Sequence, residues 1–278
     1  MKGEKSNNKK KKKSQPAKEY EQLTWQGQNI TQSDLENFGD PPEPKKQHTF
    51  RVGLQNVNKI PTNSKHYKSR QLVDHIVQGE YDVWMMNEVG LAWPKLDAGD
   101  QWFERILGKM QDSSANFAFN NQELYITGPM QYRGVGKITT SEVNHCIIEI
   151  GKDPLGLGWW TWMHIQGKEY HVTRFISAYR PCDSGGKSTV TQQHSRILGK
   201  LNDHRHPQLA FIEDLREAII EWKALGDHIV LGLDANEDVR TGQVAQVLQD
   251  LELHEAILYL HSNKTPQQRT TGTFLENL

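Results

Sequence analysis

The chain has 278 residues and a formal net charge of −1, but eight lysines and one glutamate lie within residues 1–18. The remainder carries 25 basic and 33 acidic residues, so its bulk charge excludes a general polyanion-binding body. Two cysteines, Cys146 and Cys182, are too few for a disulfide framework and lack the spacing of a zinc site. No apolar run approaches the ~20 residues that span a bilayer, and the N-terminus lacks an apolar signal core. We therefore expect an intracellular protein without a membrane partner.

Residues 1–49 are polar and Lys-rich, whereas the sequence from Phe50 onward is rich in apolar residues. The first segment has too few apolar side chains to offset the entropy of ordering, so we expect a disordered tail over 1–49 and one domain over 50–278. The run KKKKK at 9–13 is typical of a nuclear-import signal or of a contact with a phosphate backbone. If the run is an import signal, we expect a nuclear location. The alternative is a solvated tail with neither role.

Apolar periodicity predicts the elements in chain order. A strand is predicted in FRVGLQNVN, a helix over 65–79 that ends at Gly79, a strand in YDVWMMNEVG and a helix around 100–112. Six β-like runs follow: NFAFN, LYITG, VGKITT, HCIIEIG, WWTWMHI and EYHVTRFISAYRP. The last predicted elements are a helix in FIEDLREAIIEWKAL, a strand in HIVLGLD and a helix from VAQVLQDLEL onward that includes His254. Because no regular βαβ alternation runs through the middle, the pattern favours an α+β fold with mostly antiparallel or mixed sheets.

Polar side chains follow four of these strand-like segments. They are Asn56 and Asn58 in QNVN, Glu88 in NEVG, Tyr179 and Arg180 in SAYRP, and Asp234 and Asn236 in LDAN. Carboxylates and amides supply the oxygen ligands that Mg²⁺ prefers, and Mg²⁺ usually takes only one or two protein carboxylates. Glu88 and Asp234 would be enough carboxylates for a Mg²⁺ site if the fold brings their side chains close together.

Each segment alone has a purely structural interpretation. Asparagine at a strand end is common in turns, DANED could be a helix N-cap, and NEVG could be a surface turn. Arg180 could bind a substrate phosphate through a charge-assisted contact or could form a surface ion pair.

Taken in order, QNVN, NEVG, SAYRP and LDAN resemble the motifs of the endonuclease/exonuclease/phosphatase (DNase I-like) superfamily. More narrowly, GWWTWMHIQGKEYHVTRFISAYRPCDSGGKSTVTQQHSRIL and LGLDANEDV resemble the endonuclease-like domains near reverse transcriptases of non-LTR retroelements. The resemblance extends from about Phe50 to the last residues. It implies a four-layer α/β/β/α sandwich, in which two sheets pack face to face with helices outside.

The resemblance also implies roles for the residues of these motifs. Glu88, with Asn56 and Asn58, matches the side that holds Mg²⁺ (or Mn²⁺), and Asn58 stands where many relatives carry aspartate. Tyr179 matches the tyrosine that reaches the scissile phosphate, Asp234 the aspartate that orients or deprotonates water, and Asn236 the amide that holds phosphate and water. Cys182 stands where some relatives carry asparagine.

The family's site is completed by a late Ser-Asp-His segment, which this chain does not contain before it stops at RTTGTFLENL. After Asp238 the histidines are His254 and His261, and neither lies in such a segment. By comparison with the family we expect a C-terminally truncated domain that lacks the last strands and is weak or inactive as a nuclease.

The leading functional interpretation is a Mg²⁺-dependent phosphodiesterase, a DNA endonuclease of retroelement origin. One alternative is a phosphatase that acts on inositol phosphates or lipids. The other is a nonhydrolytic nucleic-acid-binding remnant that kept the fold and lost the chemistry. The sequence leaves the oligomeric state open.

Overall fold

A computed structural model describes residues 43–63, 66–96, 110, 112–122, 131, 133–182, 189–256, 259 and 271–276. Residues from Pro44 onward belong to one compact unit. Residues 1–42 of the tail predicted over 1–49 lie outside the described residues. So do most of the helix predicted around 100–112, the strand predicted in LYITG, and His261.

The described strands form two mixed sheets, as the sequence predicts. The strands are β1 Val52–Asn56, β2 Val83–Asn87, β3 Ser114–Ala118, β4 Val135–Thr139, β5 Ile147–Lys152, β6 Trp160–Gln166, β7 Val172–Tyr179, β8 His228–Asp234, β9 Leu253–Glu255 and β10 Thr271–Glu276. The four-stranded sheet has the order β1-β2-β4-β3, and the six-stranded sheet has the order β5-β6-β7-β8-β10-β9. Strand β1 is parallel to β2, and β7 is parallel to β8, whereas every other pair is antiparallel.

Four α-helices are described: α1 Tyr67–Gln78, α2 Val190–Lys200, α3 Pro207–Ala224 and α4 Gln243–Asp250. In α1, Leu72, Val73 and Ile76 are buried at helical spacing, and Gly79 ends the helix as predicted. This apolar stripe packs on the four-stranded sheet.

Strand β2 shows how one apolar run serves both faces of a sheet. Val83 and Met85 pack toward the six-stranded sheet, while Trp84 and Met86 pack in the cluster that contains α1. Because neighbouring side chains of a strand point to opposite faces, a continuous apolar run is the pattern of a strand that is buried on both sides. Helices α3 and α4 cover the other face of the six-stranded sheet through residues such as Phe211 and Leu248. The fold is therefore α+β, a four-layer α/β/β/α sandwich, as expected.

Two local predictions were incomplete or wrong. Helix α2 was not predicted, because its inward positions include Thr191 and His194 beside Ile197 and Leu198, which weakens the apolar periodicity. The helix predicted to include His254 ends at Asp250, and His254 lies in β9 instead. Glu252 adopts a left-handed φ of 59°, which turns the chain into that strand.

Candidate functional site

The candidate site lies where the two parallel strand pairs end. Strands β1 and β2 end at Asn56 and Asn87, which are partners in register, and β7 and β8 end at Tyr179 and Asp234, which are also partners. The sheets meet here, since the Asn56 Nδ2 donates to Asp234 Oδ2 at 2.7 Å across the interface. Two strand ends that are 178 residues apart in sequence are thus in direct contact.

Asp234 is the central carboxylate of this site and is only 2% exposed. Besides Asn56, the backbone N–H of Asn236 approaches Asp234 Oδ1 at 3.4 Å. Burial raises the pKa of Asp234, and the negative charge of Glu88 raises it further, while the Asn56 hydrogen bond lowers it. Glu88 is therefore close enough for its negative charge to disfavour ionisation of Asp234.

Glu88 follows β2 and forms an ion pair with the guanidinium of Arg133. Gly134 separates Arg133 from the start of β4, whose register places Val135 beside Asn87. The same guanidinium donates from Nη2 to Cys182 Sγ at 2.6 Å and lies 4.8 Å from the centre of the Tyr179 ring. Arg133 thus links the predicted metal side of the site to its predicted phosphate side.

Tyr179 is 1% exposed, and its hydroxyl is buried without a geometrically normal hydrogen bond to the described residues. Burial raises the pKa of this phenol, while the charge of Arg133 acts in the opposite direction. The hydroxyl therefore stays protonated at neutral pH and is available as a hydrogen-bond donor.

Arg180 is buried and already occupied. Its Nη1 donates to Glu237 Oε2 at 2.9 Å and to the Ala235 carbonyl at 3.3 Å. The ion pair that was the structural alternative for Arg180 exists, although it is buried at the arginine and not on the surface. Asn236 is turned inward as well, since its Nδ2 donates to the Arg180 carbonyl at 2.6 Å. These contacts fix the loop that follows Asp234.

Asn58 reaches the site only through its backbone. Its N–H donates to Asn56 Oδ1 at 2.9 Å, and its carbonyl accepts from Lys68 Nζ at 2.8 Å, while the residue itself is exposed. The structure thus brings together Asn56, Glu88, Tyr179, Asp234 and Asn236, and it leaves the side chain of Asn58 at the rim.

Two residues of the site were missed from the sequence. Asn87 is fully buried, and with its amide nitrogen toward the Met86 and Ala178 carbonyls its oxygen accepts from Asp234 N at 3.0 Å. Arg133 precedes Gly134, and the pair marks a turn, but only the β2–β4 register reveals that the turn meets Glu88. Asn87 is the first residue of NEVG, but the resemblance gives it no role, and Arg133 lies outside the four motifs.

Several site residues have backbone conformations that side chains disfavour. The φ angles are +55° at Glu88, +72° at Arg133, +51° at Asn236 and +42° at Asn58. Asparagine tolerates this region, but at Glu88 and Arg133 it costs on the order of 1 kcal/mol each. Such conformations cluster at functional sites, where the surrounding structure holds side chains in fixed directions.

The donor set fits a hard divalent cation. Two carboxylates and the Asn56 amide oxygen supply the ligands that Mg²⁺ and Mn²⁺ prefer, and the negative charge of Glu88 helps to raise the pKa of Asp234. No group of three or more His, Cys, Asp or Glu residues that could hold a metal ion occurs within the described ranges. That is compatible with Mg²⁺, which usually uses one or two carboxylates and retains water.

Among the helices that the structure describes, none has the length and apolar character needed to cross a membrane.

No family model and no curated protein sequence matches the chain. Solved structures do match, at low sequence identity. The catalytic domain of Xenopus laevis APE2 is 11% identical, with a TM-score of 0.56 over 81% of this chain and 82% of the APE2 chain.

The catalytic domain of human Nocturnin with bound sulfate is 11% identical, with a TM-score of 0.55 over 82% of this chain and 83% of the Nocturnin chain. An AP endonuclease from Archaeoglobus fulgidus is 13% identical, with a TM-score of 0.52 over 81% of this chain and 86% of the endonuclease. At these identities the likeness concerns the fold. The chain therefore has the fold of endonuclease/exonuclease/phosphatase, DNase I-like proteins.

Proposed function

We propose that this protein is a phosphodiesterase that requires Mg²⁺ (or Mn²⁺) and cleaves DNA. The observation that carries the proposal is the contact between Asn56 and Asp234, which brings the two sheet ends together beside Glu88. A structural role alone does not explain why a buried aspartate is placed near a second carboxylate, because such a pair destabilises the folded state.

Glu88 and the Asn56 oxygen would hold the cation. When bound, a divalent cation supplies neutralisation of the charge that develops on phosphate oxygens during hydrolysis. Asp234 accepts hydrogen bonds from Asn56 and the Asn236 backbone, which fix its carboxylate in one orientation. Its raised pKa makes it a better proton acceptor for water than an exposed aspartate would be.

Tyr179 and Arg133 would contact the substrate phosphate. The Tyr179 hydroxyl is a protonated donor next to the Arg133 guanidinium, and together they form a positive, hydrogen-bonding group on the strand end next to Asp234. Arg180 acts through the loop, because its guanidinium is held by Glu237 and its carbonyl by Asn236.

DNA is the favoured substrate class among the phosphodiesters. A Neisseria 3′ phosphatase solved with a product DNA hairpin shares the fold, at 13% identity and a TM-score of 0.50 over 82% of this chain and 87% of that chain. The closer resemblance of GWWTWMHIQGKEYHVTRF to retroelement endonuclease-like domains supports a retroelement origin. The lysine run at 9–13 supports contact with nucleic acid and a nuclear location.

Plasmid nicking tests the proposal. Plasmid relaxation by the protein, at whatever rate it occurs, should require Mg²⁺ or Mn²⁺ and should stop when EDTA is added. Glu88→Ala should lower the rate about 100-fold or more, because it removes the principal ligand. Glu217→Ala, on the exposed face of α3, removes the same charge elsewhere and should have no effect.

The outcomes separate the alternatives. Phosphate release from inositol phosphates without nicking would indicate a phosphatase. DNA binding without metal-dependent nicking would indicate a nonhydrolytic binding protein. Nicking that survives Glu88→Ala would show that the assigned site is wrong.

A further inference from the structure

Arg133 occupies a position in the site that the proposed function has not yet used fully. Its guanidinium contacts Glu88 and Cys182 and stacks over Tyr179, and its Nε is buried without a hydrogen-bond partner in the described ranges. Glu88 is the carboxylate assigned to the divalent cation. One side chain thus bears on both the cation ligand and the phosphate-contacting tyrosine.

The backbone fixes this arrangement. The Arg133 carbonyl accepts from Gly90 N at 2.6 Å, and the Gly134 carbonyl accepts from Val89 N at 3.0 Å. Gly134 has a φ of 88°, and a Cβ there would lie 3.0 Å from the Ala118 carbonyl, so the turn requires glycine. The turn that carries Arg133 is therefore bonded directly to the loop that carries Glu88.

Charge makes the ion pair and the metal competitors. Arginine stays protonated in proteins, so the guanidinium cannot leave Glu88 by losing its proton. Glu88, Asp234 and Arg133 together carry one net negative charge when both acids are ionised, and a divalent cation changes this to one net positive charge. A phosphodiester then restores neutrality.

We propose that a divalent cation displaces Arg133 from Glu88 and that the released guanidinium binds the substrate phosphate beside Tyr179. This inference rests on the proposed function, since it assigns the cation to Glu88. The released Nη1 shares the outer edge of the guanidinium with Nη2, and the unpartnered Nε shares the other edge with Nη2, so either edge offers the paired donors that arginine uses for phosphate. Metal binding thereby switches Arg133 from the carboxylate to the substrate.

Two binding measurements on the purified full chain test the inference. The first is Mn²⁺ affinity by electron paramagnetic resonance. The second is the affinity of the Mn²⁺-loaded protein for a short DNA duplex with phosphorothioate linkages. We expect Arg133→Gln to bind Mn²⁺ about tenfold more tightly, because the competing cation is gone, and to bind the duplex about tenfold more weakly.

Arg133→Lys should retain wild-type Mn²⁺ affinity within about threefold, since it keeps the charge, and should lose part of the duplex affinity with the planar fork. Arg216→Gln, on the exposed face of α3, removes one positive charge elsewhere and should change neither affinity. Circular dichroism establishes that each variant is folded.

Opposite shifts in the two affinities are the signature of the switch. A purely structural role for Arg133 would weaken both in Arg133→Gln, and that result would overturn the inference. Unchanged or weaker Mn²⁺ binding by Arg133→Gln would overturn it as well, and so would a lack of duplex binding by the wild type. Neither measurement depends on cleavage, so absence of plasmid nicking would count against the proposed function alone.

Discussion

The parallel strand pair β7–β8 has a buried aspartate at each end. At one end Asp227 forms an ion pair with Arg174, and at the other end Asp234 accepts a hydrogen bond from Asn56. Arg174 donates from Nε and Nη2 to Asp227 Oδ2 at 2.7 Å. Both residues are buried, with exposed fractions of 3% for Arg174 and 5% for Asp227. His164 Nε2 lies 3.1 Å from Asp227 Oδ1. This aspartate has its countercharge directly in contact.

The rings of Trp162 and Trp222 lie 4.3 Å and 4.7 Å from the Arg174 guanidinium carbon and enclose the pair. At the other end, the hydrogen-bond donors to Asp234 are neutral, and the nearby arginine, Arg133, forms its ion pair with Glu88 instead. Breaking a buried ion pair destabilises the fold because it leaves a charge without a partner, whereas an aspartate without its own countercharge costs stability and suits a site that takes up a cation. We call the Asp227 end of the strand pair the closed end and the Asp234 end the open end. An Asp→Asn substitution should therefore lower stability at the closed end, whereas at the open end it should lower activity and not stability.

The largest expected effect is on stability, at the closed end. Asp227→Asn leaves the Arg174 guanidinium buried without an anion, and we expect the free energy of unfolding to fall by about 3–5 kcal/mol. Urea denaturation followed by circular dichroism measures this change. Nicking per folded molecule should be unchanged. A loss below about 1 kcal/mol would show that the pair contributes little.

The next effect is on activity, at the open end. Asp234→Asn removes the proton acceptor while it keeps the shape, so nicking should fall about 100-fold or more. The free energy of unfolding should stay the same or rise, because burial of the charged form and the charge of Glu88 both oppose ionisation of Asp234. The same denaturation experiment provides the control. A destabilisation as large as that of Asp227→Asn would remove the distinction between the two ends.

A smaller effect concerns pH and His194, which lies behind the open end. Its Nδ1 accepts from Trp159 Nε1 at 3.0 Å. Burial, and then the charge of Arg133, lower its pKa to about 3, against 6.5 when exposed. The stability that this neutral histidine contributes is complete above pH 6.5 and is lost as pH falls toward 3, because the unfolded chain takes up the proton first.

Between pH 6.5 and 5, this histidine should therefore lower the free energy of unfolding by about 2 kcal/mol. His194→Gln keeps an acceptor for Trp159 and should remove that part of the pH dependence. Denaturant titrations at the two pH values measure the difference between variant and wild type. An unchanged slope in the variant would place the acid sensitivity elsewhere.

The sequence predicted the β7–β8 pair better at its open end than at its closed end. LDAN and SAYRP stand at strand ends: the acid after an apolar run made Asp234 a candidate ligand, and the family resemblance made both Asp234 and Tyr179 predicted site residues. Arg174 and Asp227 lie before or within apolar runs, and nothing local shows that they meet. Arg133 was missed for the same reason, since its partner Glu88 is 45 residues away and is reached only through strand register. Local chemistry is readable from sequence, whereas long-range pairing needs the topology.

The smallest expected effect separates two asparagines of the open end, Asn56 and Asn58. Asn56→Ala removes the charge-assisted bond to Asp234 Oδ2 and an oxygen near the cation, so we expect Mn²⁺ affinity and nicking to fall about tenfold. Asn58→Gly keeps the backbone N–H that donates to Asn56 and is compatible with the φ of 42° at this position. Because the Asn58 side chain is at the rim, its loss should change both quantities less than about threefold. Electron paramagnetic resonance with Mn²⁺ measures the affinities, and equal losses in the two variants would mean that Asn58 is a direct ligand and that the open end extends to the protein surface.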